Sequence, residues 1–138
     1  MTRINCIPPE ELTGPHLVAE YRELPRIFGL VRAAIARGET PDDPRNPRTY
    51  RLGTGHVRFF FPRTGYLLRR QTALIAEMRA RGFSPGFTDP ESLIAGIPPL
   101  WRADWVPTAE AMALNRARIA ERLAGAKRRR AQPPEGIV

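Results

Sequence analysis

Lysine is almost missing from this chain: Lys127 is the only one in 138 residues. Nearly all of the positive charge is therefore arginine, and a reaction that needs a side-chain primary amine has one candidate, stranded in the C-terminal tail. Cysteine is as scarce. Cys6 alone excludes an internal disulfide and a cysteine-based zinc site, and a lone cysteine near an arm reads as packing rather than as a nucleophile. No apolar window approaches the roughly 20 residues of a membrane span. The opening MTRINCIPPEE has no apolar run of the kind a secretory leader needs. The expectation is a cytoplasmic, reduced setting with no membrane partner. There is no Walker A sequence and no GxGxxG, and no motif nominates a Ser-His-Asp arrangement. The two histidines, His16 and His56, lie far apart and the carboxylates form no ligand cluster, so neither a metal nor a cofactor is expected.

What is present is charge of one sign. Lys and Arg number 22 against 14 Asp and Glu, for a formal net charge of +8. A surplus of this size in a small domain points to a polyanion, most simply nucleic acid, although arginine richness also arises from a GC-rich genome. The chain is organised around residues 16–26, HLVAEYRELPR. Leu17, Tyr21, Leu24, Phe28, Val31 and Ile35 recur at helical spacing, which predicts a helix running to about Arg37. At about 100° per residue, His16, Arg22, Glu23 and Arg26 share an arc of roughly 120° opposite that stripe. Such a face is either solvated surface with local ion pairs, Glu23 with Arg26 among them, or a binding and chemical face. Pro25 inside the helix removes a backbone donor and should bend it.

Residues 1–14 read as an irregular arm, since Pro8 and Pro9 oppose a regular element, and an arm of this length can fold back on the polar face. Gly38 is the expected helix stop. Residues 39–63 form a long ordered loop in which HVRFFF (56–61) reads as a short strand without an evident partner, its phenylalanines plugging the loop into the core. A second helix is expected over residues 64–81, with Leu67, Gln71, Leu74, Ile75 and Met78 inward, Arg69, Arg70, Arg79 and Arg81 outward, and Gly82 at its end. After a Pro/Gly-rich connection, in which residues 97–101 (IPPLW) look packed, Thr108 caps a third helix with Glu110 in its first turn. Met112, Leu114, Ile119 and Leu123 lie along it, and Gly125 ends it. Residues 126–138 would be a mobile basic tail that can hold phosphates or simply be solvated. The expected fold is all-α: one compact domain, 1–138, of three main helices with long ordered loops, acting as a monomer.

The start of the chain offers one further nucleophile. Removal of Met1 before the small Thr2 would free an α-amine, which titrates at about 7.7–8.0 against about 10.4 for lysine. A sizeable unprotonated fraction at neutral pH makes it a ready nucleophile toward a sugar C1′ or an aldehyde. With Lys127 in the tail, imine chemistry would have to use this terminus.

The opening MTRIN, then His16-Leu17 and residues 19–26 (AEYRELPR), resemble the phage-type pyrimidine-dimer DNA glycosylases with abasic-site lyase activity. The likeness continues through residues 53–60 (GTGHVRFF), Gln71, residues 74–77, Arg81-Gly82-Phe83, Ile97-Pro98, Arg102, Asp104, Pro107 and Ala117-Arg118, and reaches about Leu123. The resemblance implies an all-α, metal-free enzyme that excises cyclobutane pyrimidine dimers from damaged duplex DNA. The Thr2 amine would attack C1′ of the 5′ deoxyribose of the dimer and form an imine, and β-elimination would cut the strand. Glu23 would be the acid/base carboxylate. Arg22 and Arg26 would hold phosphates, Arg3 and His16 would lie near the terminus, and Arg118 and Arg122 would bind DNA from the third helix. Family members also kink the duplex and expel the adenine opposite the lesion, a distortion that costs less where a dimer already stacks poorly. The chain departs from the pattern in three places. Pro15 replaces a glutamine, Arg122 replaces a lysine, and KRRRAQPPEGIV replaces a segment rich in tyrosine and tryptophan. Two other readings compete: a non-catalytic basic DNA-binding protein, and a glycosylase or abasic-site lyase with a shifted lesion preference.

Overall fold

The computed structural model describes residues 3–131. Its elements in order are α1 (Gly14–Glu23), α2 (Pro25–Ala36), α3 (His56–Phe59), α4 (Thr64–Ala80), α5 (Glu91–Ile94) and α6 (Ala109–Ala131), with 3₁₀ turns at Pro9–Glu11 and Pro99–Trp101. No strand occurs among the described residues beyond one isolated bridge, Arg63 with Arg102. The architecture is all-α, as the helical periodicity predicts. One apolar core joins the arm (Ile4, Ile7, Leu12), α1 and α2 (Leu17, Leu24, Phe28, Val31), the phenylalanine triplet 59–61, α4 (Leu67, Leu74, Met78) and Ile119 of α6. No helix among the described residues is long and apolar enough to cross a membrane.

Pro25 breaks the first helical run into α1 and α2 at Leu24. A proline has no N–H to give the carbonyl four residues back, and its ring crowds that carbonyl. The orphaned acceptor is Tyr21 O, which receives Gln71 Nε2 from α4 at 3.1 Å. A buried glutamine on the apolar side of α4 thus repairs the gap that Pro25 opens. The stops at Gly38 (φ 84°) and Gly82 (φ 82°) are in the left-handed region. In each, two backbone bonds close the end of the helix, Phe83 N to Met78 O (2.9 Å) and Gly82 N to Arg79 O (3.0 Å) in the second case. Thr108 caps α6 through Ala111 N (3.0 Å).

Several expectations need correction. HVRFFF is not a strand: residues 56–59 form α3, because His56, Phe59 and Phe60 bury one helical face at spacings of three and four. The phenylalanines do plug the core. Pro9–Glu11 forms a 3₁₀ turn, which tolerates proline at its start. Arg70 does not lie outward; it falls between Leu67 and Leu74 on the packed side of α4 and is 6 % exposed. Arg81 is half-buried against Glu77 (2.9 Å), whereas Arg69 and Arg79 are exposed. Of residues 97–101, Ile97 and Trp101 are buried but Leu100 is 80 % exposed. The buried stripe of α6 is Ala111, Asn115 and Ile119, with Leu114 and Leu123 exposed. Gly125 does not end that helix, which continues to Ala131. A glycine in a helix costs about 1 kcal/mol relative to alanine, and Ala124, Ala126, Lys127 and Arg128 around it favour helix. Residues 126–131 therefore extend α6, and the remainder of the expected tail, 132–138, lies outside the described residues.

Gly65, in the first turn of α4, meets the backbone of the 102–103 segment. A Cβ there would stand 2.4 Å from Arg102 O and 3.1 Å from Ala103 O. Tyr66 N–H donates to Ala103 O (3.2 Å) and Ala103 N–H to Pro62 O (3.2 Å) beside it. Gly65→Ala must push this segment away, with an expected cost of about 1–3 kcal/mol. Urea unfolding should show a lowered midpoint at unchanged slope; an unmoved midpoint would mean the segment is free to shift.

Candidate active site

The site begins with the arm. Each of six backbone polar groups over residues 4–7 is held by a side chain from elsewhere in the chain. Ile4 N–H donates to His56 Nε2 (2.8 Å) and Ile4 O accepts from Tyr50 OH (3.2 Å). Asn5 O accepts from Tyr66 OH (3.1 Å), and Ile7 O from Arg70 Nη1 (2.5 Å). The N–H groups of Cys6 and Ile7 both donate to Asn115 Oδ1 of α6, at 2.8 and 3.3 Å. Residues 4–7 are buried, so each of these groups would be costly without a partner. The irregular arm is thereby fixed as firmly as a ladder would fix a strand.

Beneath it lies a buried carboxylate. Glu20 Oε1 accepts from Asn5 Nδ2 (2.8 Å) and Arg70 Nη2 (3.0 Å), and Glu20 Oε2 from Arg70 Nε (2.8 Å). Asn115 Nδ2 completes the net on Asn5 Oδ1 (2.7 Å). Burial alone would lower the Arg70 pKa; the Glu20 charge and hydrogen bonds outweigh it, leaving the guanidinium above its ordinary value. Glu20, Arg70, Asn5 and Asn115 escaped the sequence reading. The available signal was position: Glu20 between Leu17 and Leu24, and Asn115 between Ala111 and Ile119, are polar residues inside apolar stripes.

The arm, α1 and α6 enclose a recess of about 140 Å³. Glu20 and Glu23 contribute its acids, Arg3, His16 and Arg122 its basic groups, and Asn5, Ala19 and Ile119 the rest. Glu23 keeps about a third of its side chain exposed, and its Oε2 lies 2.9 Å from Arg26 Nη1, whose side chain is mostly in solvent. The expected Glu23–Arg26 pair therefore exists. A second recess shares His16 and Arg122 with the first and adds Arg118, Glu121, Gly125, Ala126 and Arg128. Burial first, then Arg122 and Arg118, lowers the pKa of Arg3; burial, then Arg122 and Arg3, lowers that of His16. The cations here disfavour one another, which a bound anion would relieve. Arg3 Nη1, His16 Nδ1 and Arg118 Nε are shielded from solvent and have no hydrogen-bond partner among the described residues.

Of the residues singled out from sequence, Arg3, His16, Glu23, Arg26, Arg118 and Arg122 thus come together from the arm, α1, α2 and α6. Arg22 does not join them. It lies on the flank of α1, in a groove with Tyr21, Pro25, Phe87 and Leu93. The wide polar arc covers two separate recesses, because Arg22 is about 100° around the helix from Glu23. Tyr21 OH shapes that groove by donating to Phe87 O (3.1 Å) and accepting from Phe87 N (2.7 Å). Thr2 lies outside the described residues. Cys6 is buried and its thiol is pushed up to about 11 by that burial, which suits packing and not nucleophilic chemistry. Among the described residues no three of His, Cys, Asp and Glu gather as metal ligands would.

A carboxylate at the edge of a basic recess, next to a docked N-terminal arm, suits chemistry on a polyanionic substrate. A family model described as pyrimidine dimer DNA glycosylase matches residues 1–90, covering the arm, α1 to α4 and the start of the following connection. Arg118 and Arg122 fall beyond the matched segment. With about two thirds of its length matched and the arm and ELPR block inside that match, the chain belongs to the pyrimidine dimer DNA glycosylase family.

Proposed function

We propose that this protein is a bifunctional N-glycosylase and abasic-site lyase acting on pyrimidine dimers in duplex DNA, with the Thr2 α-amine as nucleophile and Glu23 as the acid/base carboxylate. The observation that carries this reading is the recess in which Glu23, His16, Arg3 and Arg122 meet, one residue along the chain from Thr2. The amine lone pair bonds to C1′ as the N-glycosidic bond breaks, and the base nitrogen keeps the electron pair of that broken bond and gains a proton. Opening of the sugar leaves a protonated imine. Loss of a C2′ proton to a base then expels the 3′ phosphate, which cuts the strand. Glu23 stabilises the cationic sugar and imine and moves the protons. Arg26, Arg118 and Arg122 hold phosphates, which position the duplex without reading its sequence. Arg22 borders an apolar groove with an aromatic wall, a surface suited to a flat base displaced from the opposite strand.

Borohydride trapping tests the chemistry. Incubation with duplexes carrying one abasic site or one thymine dimer should leave a covalent adduct on the peptide beginning with Thr2, and mass spectrometry of the purified protein should show Met1 removed. Binding without an adduct would establish the non-catalytic reading instead. A shifted lesion preference is the second reading, favoured by one observation: KRRRAQPPEGIV has no aromatic residue. It predicts turnover on the abasic duplex that far exceeds turnover on the dimer.

Phosphate contact has its own signature. Each contact contributes about 0.9 to the log–log dependence of affinity on salt. Arg118→Ala and Arg122→Ala should each flatten that slope by roughly 1. A slope unchanged in both variants would remove α6 from the interface.

A further inference from the structure

We propose that His56 is a positioning residue for this reaction: by accepting the Ile4 amide it fixes the backbone from which Arg3 enters the recess that Glu23 lines. The inference rests on the reading of the Thr2 amine as nucleophile.

His56 does not line the recess, so any effect must pass through the backbone. The bond from Ile4 N–H to His56 Nε2 is 2.8 Å long and links residues 52 apart in sequence. Because Nε2 accepts, the ring proton sits on Nδ1, which donates to Arg51 O at 2.8 Å. One neutral ring thereby ties the arm to the turn before α3. Burial, opposed only in part by the bond to Arg51 O, keeps its pKa below the ordinary histidine value.

The ring itself is locked. Tyr50 and Phe60 pack edge-on against it, each with centroids 5.5 Å away. Tyr50 also donates to Ile4 O (3.2 Å). Both backbone polar groups of Ile4 are therefore held by one aromatic cluster, two residues from the proposed nucleophile. A packing role alone would be met by any flat buried ring, but this geometry needs an acceptor at Nε2. A displacement of about 1 Å in a reacting group can cost on the order of 10²-fold in rate, and the held Ile4 amide, two residues from Thr2 in sequence, is a point from which such a displacement would spread.

His56→Leu removes the acceptor, whereas His56→Gln keeps an oxygen near the Nε2 position. The experiment measures the single-turnover rate of borohydride-trappable imine on an abasic duplex at saturating protein, together with the Kd for the same duplex in the absence of borohydride. The expected result is a fall of at least tenfold in the trapping rate for His56→Leu at unchanged Kd, with most of the rate restored in His56→Gln. A wild-type rate in His56→Leu, or an equal fall in both variants, overturns the proposal. If His56→Leu does not fold, Tyr50→Phe replaces it, since that change keeps the ring and removes the hydroxyl that holds Ile4 O. A slower imine in Tyr50→Phe supports the proposal and a wild-type rate overturns it. Mapping the wild-type adduct separates the two levels of argument. An adduct at a residue other than Thr2 sinks the nucleophile assignment and this inference with it. An adduct at Thr2 with an unaffected His56→Leu sinks only the inference.

Discussion

Replacing Glu23 with glutamine is expected to slow excision of a thymine dimer by about 10²–10⁴-fold, the usual worth of a positioned acid or base. Glutamine keeps the shape and the neutral hydrogen-bonding of the side chain but neither stabilises a cationic sugar nor accepts its proton. The fold should survive, because the pair that Glu23 makes with Arg26 (2.9 Å) has an arginine side chain 70 % exposed, and solvent screens such pairs to at most about 1 kcal/mol. DNA affinity should hold or rise slightly, since the change removes a negative charge from a basic surface. Single-turnover nicking of a duplex with one dimer, with Kd measured in parallel, checks both halves. If Glu23→Gln cut at close to the wild-type rate, the acid/base role would have to move to another group, and the other carboxylate of the recess, Glu20, is committed to Arg70 and Asn5.

The largest expected loss of stability comes from Arg70→Met. The Glu20 and Arg70 side chains are 1 % and 6 % exposed, and removing one member of a buried pair leaves the other charge uncompensated, at a cost of about 3–5 kcal/mol. Ile7 O would lose its partner as well, so the arm should loosen along with the core. Urea unfolding should show a large fall in midpoint, and limited proteolysis should reach the arm in the variant before it reaches α4. A second substitution separates charge from shape. Glu20→Leu combined with Arg70→Met removes both charges and should recover much of the loss, as buried pairs replaced by apolar groups often do. A double variant no more stable than Arg70→Met alone would show that the cost lies in packing and in the bonds to Asn5 and Ile7.

Both experiments probe features that differ in how far the chain betrays them. Glu23 was visible because its neighbours are distinctive: a carboxylate among arginines on the polar side of a periodic helix, in an ELPR block behind an MTRIN arm. Arg70 reads from the sequence as surface, and the structure buries it. Arginine is seldom buried without a partner, and its partner, Glu20, lies 50 residues away on another helix, so no local pattern announced the pair. Gln71 stood in the apolar stripe of α4 without an explanation until Tyr21 O supplied one. The HVRFFF run reads as a strand, but residues 56–59 fold as a helix, for a related reason. A short apolar run fits a strand or a helix equally, and the choice was made by which face the core accepted.

Helical periodicity, the glycine stops at 38 and 82, the Thr108 cap, the surplus of arginine and the scarcity of lysine are all local or summed properties, so the chain alone determined an all-α fold with a polyanion-seeking surface. The family likeness of its first residues belongs to the same level. Tertiary structure alone decided that the arm is locked by His56, Tyr50, Tyr66, Arg70 and Asn115, that Arg122 shares a recess with Glu23 while Arg118 lines the adjoining one and Arg22 turns away, and that a buried carboxylate underlies the recess. Those outcomes depend on bonds between residues as much as 110 positions apart. Closing such loops is driven by burial of the whole core rather than by any local preference.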